Sequence, residues 1–477
     1  MATLAAPGRT LSRRTVRQYA VGSIGTGGFN TLPGLVLLYY LTDVLGIAAL
    51  TAGAILTVCK VWDVVIDPVV GNLSDRSAVL RGSRRPFMRF GALTLPVFFV
   101  LTFAAGPTLP TWAAAAWVTV AFVLAATAFS AFQIPYLALA AEITDRYTER
   151  TRLLTWRMVM LTVAILIFGG VAPAVRGLFA DPASGYLVMA IVSALLLGGS
   201  MWTAAGSAPL TPNAGPEPAA GRSRTKESPM AGVVAAYRRG WQAFLSSRPF
   251  RALFLSFVLK AVASGLLLAV GQYVATWVLH REGALTWIFL ALIGPALLVT
   301  PIWGRLANRY GKEPLVYVAG GLFAVATSSM VALIWWPGPW LYGPVILAGV
   351  AYAGLQSLPL SILPDVVAYE TSRRGRDGDP SRRTRDRAGV FTGLWTGGET
   401  AGLAFGAFVL SVLLQAGGYQ AAAGGAAGQP LSAVMAIILG LSIIPGVLVL
   451  ISLVVFRGYR LRREDIEGPG DVEDRVG

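Results

Sequence analysis

Twelve apolar stretches follow one another along 477 residues, each long enough to cross a lipid bilayer as a helix. They cover residues 19–42, 49–73, 86–106, 110–138, 153–175, 185–206, 252–279, 284–304, 313–336, 340–368, 389–415 and 431–456. In hydrocarbon every backbone polar group must be satisfied within the span, which leaves helices as the structure for such segments. Only 13% of the residues are charged, where soluble domains carry about 25%, and the mean hydropathy is +0.63. The sequence predicts an all-α membrane protein with twelve transmembrane helices.

The basic residues then set an orientation. Arg9, Arg13, Arg14 and Arg17 precede the first span, and Arg76, Arg81, Arg84, Arg85 and Arg89 surround the second connection. Of the 39 Lys and Arg, all but Arg176, Arg281, Lys60 and Lys260 fall at the N-terminus, in or within five residues of the even-numbered connections, or in the C-terminal tail. This asymmetry predicts a multi-pass protein of the cell inner (plasma) membrane with both termini cytoplasmic. The formal charge of +15 is thereby a topology signal with contact to anionic membrane lipids, not a nucleic-acid footprint. Only four of the 39 basic residues are lysines, and with 54 glycines this fits a GC-rich bacterial gene. Ser12-Arg13-Arg14 resembles a twin-arginine signal, but eleven further spans make it an ordinary basic flank.

Several chemistries are excluded. One cysteine, Cys59, allows no intramolecular disulfide and no cysteine-based zinc site, and one histidine, His280, allows no His-rich cluster. No P-loop, nucleophile-elbow or zinc-protease motif is present, which speaks against ATP-driven pumping and against hydrolase chemistry. No cofactor is expected.

Residues 207–249 interrupt the apolar pattern with Pro209, Pro212, Pro216, Pro218, Arg222, Arg224 and Lys226, and within them Ala231 to Phe244 could lie on the membrane surface as a helix. The division is an N-terminal bundle at 1–206, a cytoplasmic linker at 207–249, a C-terminal bundle at 250–457 and a tail at 458–477. The halves echo each other. Pro68-Val-Val-Gly71-Asn-Leu73-Ser-Asp75-Arg76 returns as Pro301-Ile-Trp-Gly304-Arg-Leu306-Ala-Asn308-Arg309, and Ile134-Pro135 returns as Leu358-Pro359. Two pseudo-symmetric six-helix bundles around a linker resemble the major-facilitator layout, in which the solute binds near mid-membrane and is moved by alternating access.

Ionisable groups inside spans mark functional positions, because each costs ~3 kcal/mol to insert. Lys60, Asp63 and Asp67 share one face of the second span at spacings of three and four. Two carboxylates one turn apart repel unless a cation, a proton or Lys60 neutralises them, which is the behaviour a coupling site needs. A static Lys–Asp bridge is the structural alternative. Lys260 in the seventh span has no acid within a turn of its own helix. Glu399 and Asp365 are its candidate partners, and contact with an anionic solute is the alternative. Asp75, Arg76, Glu142, Asp365 and Glu370, at the cytoplasmic span ends, are expected to form gating salt bridges, with Arg157 at the start of the fifth span. The arginine-rich run from Arg373 to Arg387 reads as a solvated loop. Trp395 lies in a polar, Gly-rich helix with Thr396 and Glu399, where its face could stack on a sugar ring; Gly402 and Gly406 are expected to serve helix packing.

Four stretches carry a family resemblance: Tyr39-Tyr40-Leu-Thr42-Asp43-Val44-Leu45-Gly46; Val61-Trp62-Asp63-Val-Val-Ile66-Asp67-Pro68; Ile134-Pro135-Tyr136-Leu-Ala138-Leu139 running to Glu149-Arg150-Thr151-Arg152 and Arg157; and Leu363-Pro-Asp365-Val-Val-Ala-Tyr369 with Gly393-Leu-Trp395-Thr396. Together they resemble the glycoside–pentoside–hexuronide:cation symporters, the melibiose-permease-like branch of the major facilitator superfamily. The resemblance implies that Asp63 and Asp67 are the cation-site carboxylates and that Ser130 replaces a cation-site threonine. Ile66 stands where the family has an asparagine ligand, and the lost oxygen weakens the case for Na⁺ and makes room for H⁺ coupling, with both ions still open. Arg157 matches an arginine of the substrate cavity and gate, and Trp395 and Thr396 fall in the eleventh-helix cavity segment. Gly27 and Gln133 replace two sugar-binding aspartates, and Thr400 replaces a lysine. Asn30 and Gln133 can still accept hydrogen bonds from a solute.

The functional expectation is secondary active symport of a sugar, glycoside or uronide-like solute with H⁺ or Na⁺, without a metal beyond Na⁺ at Asp63 and Asp67. The partners expected are that small solute, anionic in one version, and membrane lipids, with a monomer sufficient. The alternatives are a cation-coupled lysophospholipid symporter and, more remotely, a membrane-embedded enzyme or a sensor.

Overall fold

The computed structural model describes residues 11–144, 146–208, 238, 244–245, 247–373, 380–421, 428–459 and 461. Among these the regular structure is helical throughout. The spans are α1 (Arg13–Val44), α2 (Ala49–Arg81), α3 (Arg85–Thr102), α4 (Thr111–Ile143), α5 (Thr148–Arg176), α6 (Pro182–Ala205), α7 (Arg248–Val278), α8 (Ala284–Tyr310), α9 (Lys312–Ile334), α10 (Pro339–Tyr369), α11 (Gly393–Ala416) and α12 (Leu431–Phe456). Eleven are long and apolar enough to cross a membrane. The remaining helix, α3, opens with Arg85 and Arg89 and is 18 residues long. The twelve-helix expectation is thus met.

Prolines interrupt the backbone ladder at Pro33, Pro68, Pro135, Pro295, Pro301, Pro359 and Pro364 without ending their helices. Neighbouring helices and hydroxyl side chains can satisfy the freed carbonyls in such positions. In α2 the carbonyl that Pro68 frees is that of Val64, and one turn further on the Asn72 amide donates to the carbonyl of Pro68 itself at 3.0 Å. Within α12 the helix breaks at Ser442 (φ −105°, ψ −81°), three residues before Pro445.

The chain divides into two compact units, Met1–Pro33 with Val61–Pro229 and Gly34–Lys60 with Met230–Gly477. The division passes through α1 and α2. In the first unit α2 and α4 run as parallel neighbours: the Trp62 indole donates to Thr127 at 2.8 Å, Ser130 meets Asp67, and Gly71 faces Ile134, in the same order along both helices. In the second unit α7 and α11 pack with their backbones almost touching. A Cβ on Gly406 would lie 2.3 Å from the Val262 carbonyl oxygen, and one on Gly265 would lie 2.1 Å from that of Leu403. Gly402 and Gly406 therefore do the packing work expected of them. The arginine-rich run from Arg373 to Arg387, Glu370, and nearly all of the stretch from Ala231 to Phe244 lie outside the described residues or their described side chains.

Candidate functional site

Asp63 and Asp67 lie one turn apart on α2, with Lys60 on the same helix. Asp63 is buried at 9% exposure, a position where an acid must be neutralised or hydrogen-bonded. Asp67 is half-buried, and the buried Ser130 hydroxyl of α4 donates to its Oδ1 at 2.5 Å. A hydroxyl that donates to a carboxylate keeps lone pairs free, so Ser130 and Asp67 together present oxygen to a proton or a small cation. Ile66 between the two acids adds no oxygen.

Further along α4 a polar cluster of the first unit forms against α1 and α5. Thr26 donates to Gln133 Oε1 at 2.7 Å. The Tyr136 hydroxyl donates to the Tyr19 carbonyl at 2.8 Å and pairs with the Ser23 hydroxyl at 2.8 Å. Arg157 of α5 lies over the Tyr136 ring, 5.8 Å from its centroid, and its Nε has no hydrogen-bond partner among the described residues. Asn30 is exposed one turn above Thr26 on the same face of α1. Ser23, Thr26 and Tyr136 are members that sequence reasoning missed. The available signal was a run of hydroxyls and an amide at helical spacing, Ser23-x-x-Thr26-x-x-x-Asn30, in an otherwise apolar span.

Gly27 explains one departure from the family pattern. A Cβ there would sit 2.7 Å from Ala164 Cβ and 3.1 Å from the Leu161 carbonyl oxygen, so α1 and α5 leave no room for a carboxylate. Gly27→Asp is expected to cost at least about 1–3 kcal/mol from overpacking, without creating sugar binding. A thermal melt of the purified variant checks this: a lowered Tm is expected, and an unchanged Tm with a gained response to a neutral galactoside would contradict it.

At the span ends the acids Asp75 and Glu142 are both held, but by Arg84. Its Nη1 lies 2.6 Å from Asp75 Oδ1 and its Nε 2.5 Å from Glu142 Oε1, with Ser74 Oγ also accepting at 3.0 Å. Burial opposes the Arg84 charge, but hydrogen bonds and attraction from Glu142 and Asp75 outweigh it and raise its pKa above the ordinary guanidinium value. Arg76 is exposed, and among the described residues no ion pair involves it, so the expected pairing shifts to Arg84. Nothing in the sequence singles out one arginine among the five near this connection. In the second unit Asp365 pairs with Lys312 at 2.6 Å, and Lys312 also donates to the Ser361 carbonyl at 2.9 Å. The two units thus repeat one device: a basic residue at the start of the third span of each half holds the acid at the end of the fourth.

Asp365 is thereby taken, and the ion pair expected for Lys260 does not form. Lys260 is 4% exposed, its Nζ has no hydrogen-bond partner among the described residues, and it sits 5.7 Å from the Phe456 ring centroid. Its amino group rests against an aromatic face of α12. Trp395 is 4% exposed and stacks on Phe257 at 3.8 Å, so one of its faces is already covered. Thr396 is exposed, while Thr400 and Glu399 are half-buried, with Glu399 beside Tyr352 of α10.

Twelve apolar helices, acids and hydroxyls facing one another inside them, and basic residues bridging their ends define a membrane transporter rather than an enzyme. The chain belongs to the MFS/sugar transport protein family, whose model matches residues 18–463. It is 27% identical over 422 residues to a provisionally named sulfoquinovose importer of Salmonella typhimurium, covering 86% of this chain and 82% of that relative. It is 33% identical over 146 residues to a glucuronide carrier protein homolog of Escherichia coli, covering 30% and 31%. A bacterial homolog of the human lysosomal transporter Spinster, solved inward-facing and unoccupied, shares the fold with a TM-score of 0.66 at 15% identity, covering 96% and 98%. The family resemblance, the fold class and the exclusion of enzyme activity all stand.

Proposed function

We propose that the protein is a cation-coupled symporter of a sugar-like solute carrying an acidic group, with H⁺ as the coupling ion. The observation that carries the reading is the Asp63, Asp67 and Ser130 cluster, with the Ser130 hydroxyl 2.5 Å from Asp67. Two acids at that spacing are poor neighbours when both are ionised, and a proton relieves the repulsion at either one. Ser130 adds a single hydroxyl to the two carboxylates and Ile66 adds none, fewer side-chain oxygens than the six or so a hard metal cation takes. The solute reading rests on Arg157. Its guanidinium lies over Tyr136 with Nε free of a hydrogen bond among the described residues, and Thr26, Gln133 and Asn30 line the same part of the first unit with groups that suit sugar hydroxyls. The relatives named for a sulfoquinovose importer and a glucuronide carrier are in keeping with an acidic sugar. The basic even-numbered connections support an orientation with both termini in the cytoplasm.

A thermal-stability screen of the purified protein tests the reading, since a ligand that binds the folded state raises its apparent stability. Methyl glucuronide and sulfoquinovose are expected to raise Tm, more so as pH falls from 8 to 5.5, with no added effect of Na⁺ or Li⁺. A shift that requires Na⁺ would overturn proton coupling. A shift confined to neutral galactosides, or to lysophospholipids, would overturn the acidic-sugar reading.

A further inference from the structure

The ends of α1 and α7 opposite the arginine-rich connections are built as copies of each other. Tyr39-Tyr-Leu-Thr42-Asp43-Val44-Leu45-Gly46 corresponds to Tyr273-Val-Ala-Thr276-Trp277-Val278-Leu279-His280, with Tyr, Thr, Val and Leu identical at four of eight places. Both segments widen into a π turn, Tyr40–Val44 and Val274–Val278. Both close with the same pair of backbone bonds, Leu45 N to Tyr40 O (3.1 Å) with Ile47 N to Leu41 O (2.9 Å), and Leu279 N to Val274 O (2.9 Å) with Arg281 N to Ala275 O (2.9 Å). Both end in a left-handed residue, Gly46 at φ 67° and His280 at φ 52°. His280 is the one described non-glycine residue with positive φ, so a strained conformation is kept there for the sake of the turn. Single-turn π insertions of this kind concentrate at functional positions.

The two turns meet at one carboxylate, and all the residues involved belong to the second unit. The Trp277 indole donates to the Tyr419 hydroxyl at 2.8 Å, which donates to Asp43 Oδ1 at 2.6 Å. The Tyr273 and Thr42 hydroxyls lie 2.8 Å apart, and Thr42 donates to Asp43 Oδ2 at 2.5 Å. Because the Thr42 proton goes to Asp43, Tyr273 is the donor in that pair. Two donor chains from α7 therefore converge on the two oxygens of one acid on α1. Every hydrogen-bonding group that faces Asp43, namely Tyr39 and Thr42 from its own turn, Trp277 from α7 and Tyr419 from the connection after α11, is uncharged at neutral pH. Burial and the adjoining Asp43 charge hold the Tyr419 hydroxyl above its ordinary pKa, so it stays a donor. Asp43 itself is half-buried.

We propose that Asp43 is a second proton-binding site, separate from Asp63 and Asp67, that latches the ends of α1 and α7 together when ionised and releases them when protonated. The carboxylate accepts on both oxygens. A proton added to either oxygen takes up one of its lone pairs and removes the negative charge that both donors are drawn to, so the two chains weaken. Falling pH on that side of the protein therefore loosens the latch, and rising pH closes it.

The test uses the full chain in nanodiscs with Cys59→Ala and spin labels at Leu50→Cys and Trp287→Cys, both exposed and both just beyond the latched ends. Electron–electron distance distributions are recorded at pH 8 and pH 5. The expected result is a single short distance at pH 8 and an added longer population at pH 5. Asp43→Asn, which like the protonated acid presents one donor and one acceptor, should show the longer population at both pH values, as should Tyr419→Phe, which cuts one chain without touching the acid. An Asp63→Asn/Asp67→Asn protein should keep the wild-type pH response. A wild-type distribution that ignores pH would overturn the proposal. So would a response that survives Asp43→Asn but vanishes in the Asp63→Asn/Asp67→Asn protein. The readout needs neither solute nor gradient, so its failure is distinguishable from failure of the symport reading.

Discussion

Asp63→Asn and Asp67→Asn are each expected to reduce gradient-driven solute accumulation to the level of empty vesicles while leaving the protein folded in the membrane. An amide keeps the shape of the acid but can neither take up a proton reversibly nor carry the charge that a cation neutralises. The solute should still equilibrate down its own gradient, because the hydrogen-bonding groups at Thr26, Gln133 and Asn30 are untouched. Ser130→Ala should act in the same direction but less severely, since a hydrogen bond to a charged acceptor contributes ~1.5–3 kcal/mol. Uptake by proteoliposomes under an imposed gradient, with counterflow as the control, separates the two effects. Full accumulation by both Asn variants would remove α2 as the coupling element.

Gly406→Leu is expected to give no monodisperse protein at all. Its Cβ would fall 2.3 Å from the Val262 carbonyl oxygen and 2.4 Å from the Leu266 amide nitrogen, both backbone atoms of α7 that cannot rotate out of the way. Relief would require α7 and α11 to separate along the whole seam that also contains Gly265 and Gly402. A control variant, Gly321→Ala on α9, has nothing within 4 Å of its added Cβ and should be neutral or stabilising by up to about 1 kcal/mol from helix propensity. Size-exclusion profiles and melts of the two variants check the contrast. A monodisperse Gly406→Leu protein with native Tm would mean that the close approach is not needed.

The spans were legible because an apolar run of twenty residues has few alternatives in hydrocarbon, and Asp63 and Asp67 were legible because acids stand out against that background. Partner choice was not. Arg84 rather than Arg76 holds Asp75 and Glu142, and only the folded connection brings the right arginine of several to both acids. Lys260 was expected to meet an acid or an anionic solute, yet its amino group rests against Phe456, 196 residues away in sequence (456 − 260). Trp395 read as a free stacking surface because the sequence does not reveal that Phe257 covers one of its faces. The α1 and α7 turns were hidden for another reason. Their shared residues are common in spans, while Asp43 and Trp277, which occupy one corresponding position, are chemically unlike. Gly27 was legible as a lost acid, but the close approach of α5 that excludes the acid is a property of packing.

If proton binding at Asp63 and Asp67 drives movement of an acidic sugar, adding the solute must bring protons in with it. Proteoliposomes containing the wild-type protein and an internal pH dye, with no initial pH gradient, would receive methyl glucuronide outside. The account predicts internal acidification that depends on the solute, is indifferent to Na⁺, and is absent in Asp63→Asn and Asp67→Asn. Glucuronide entry without acidification, or acidification that persists in both Asn variants, would contradict it.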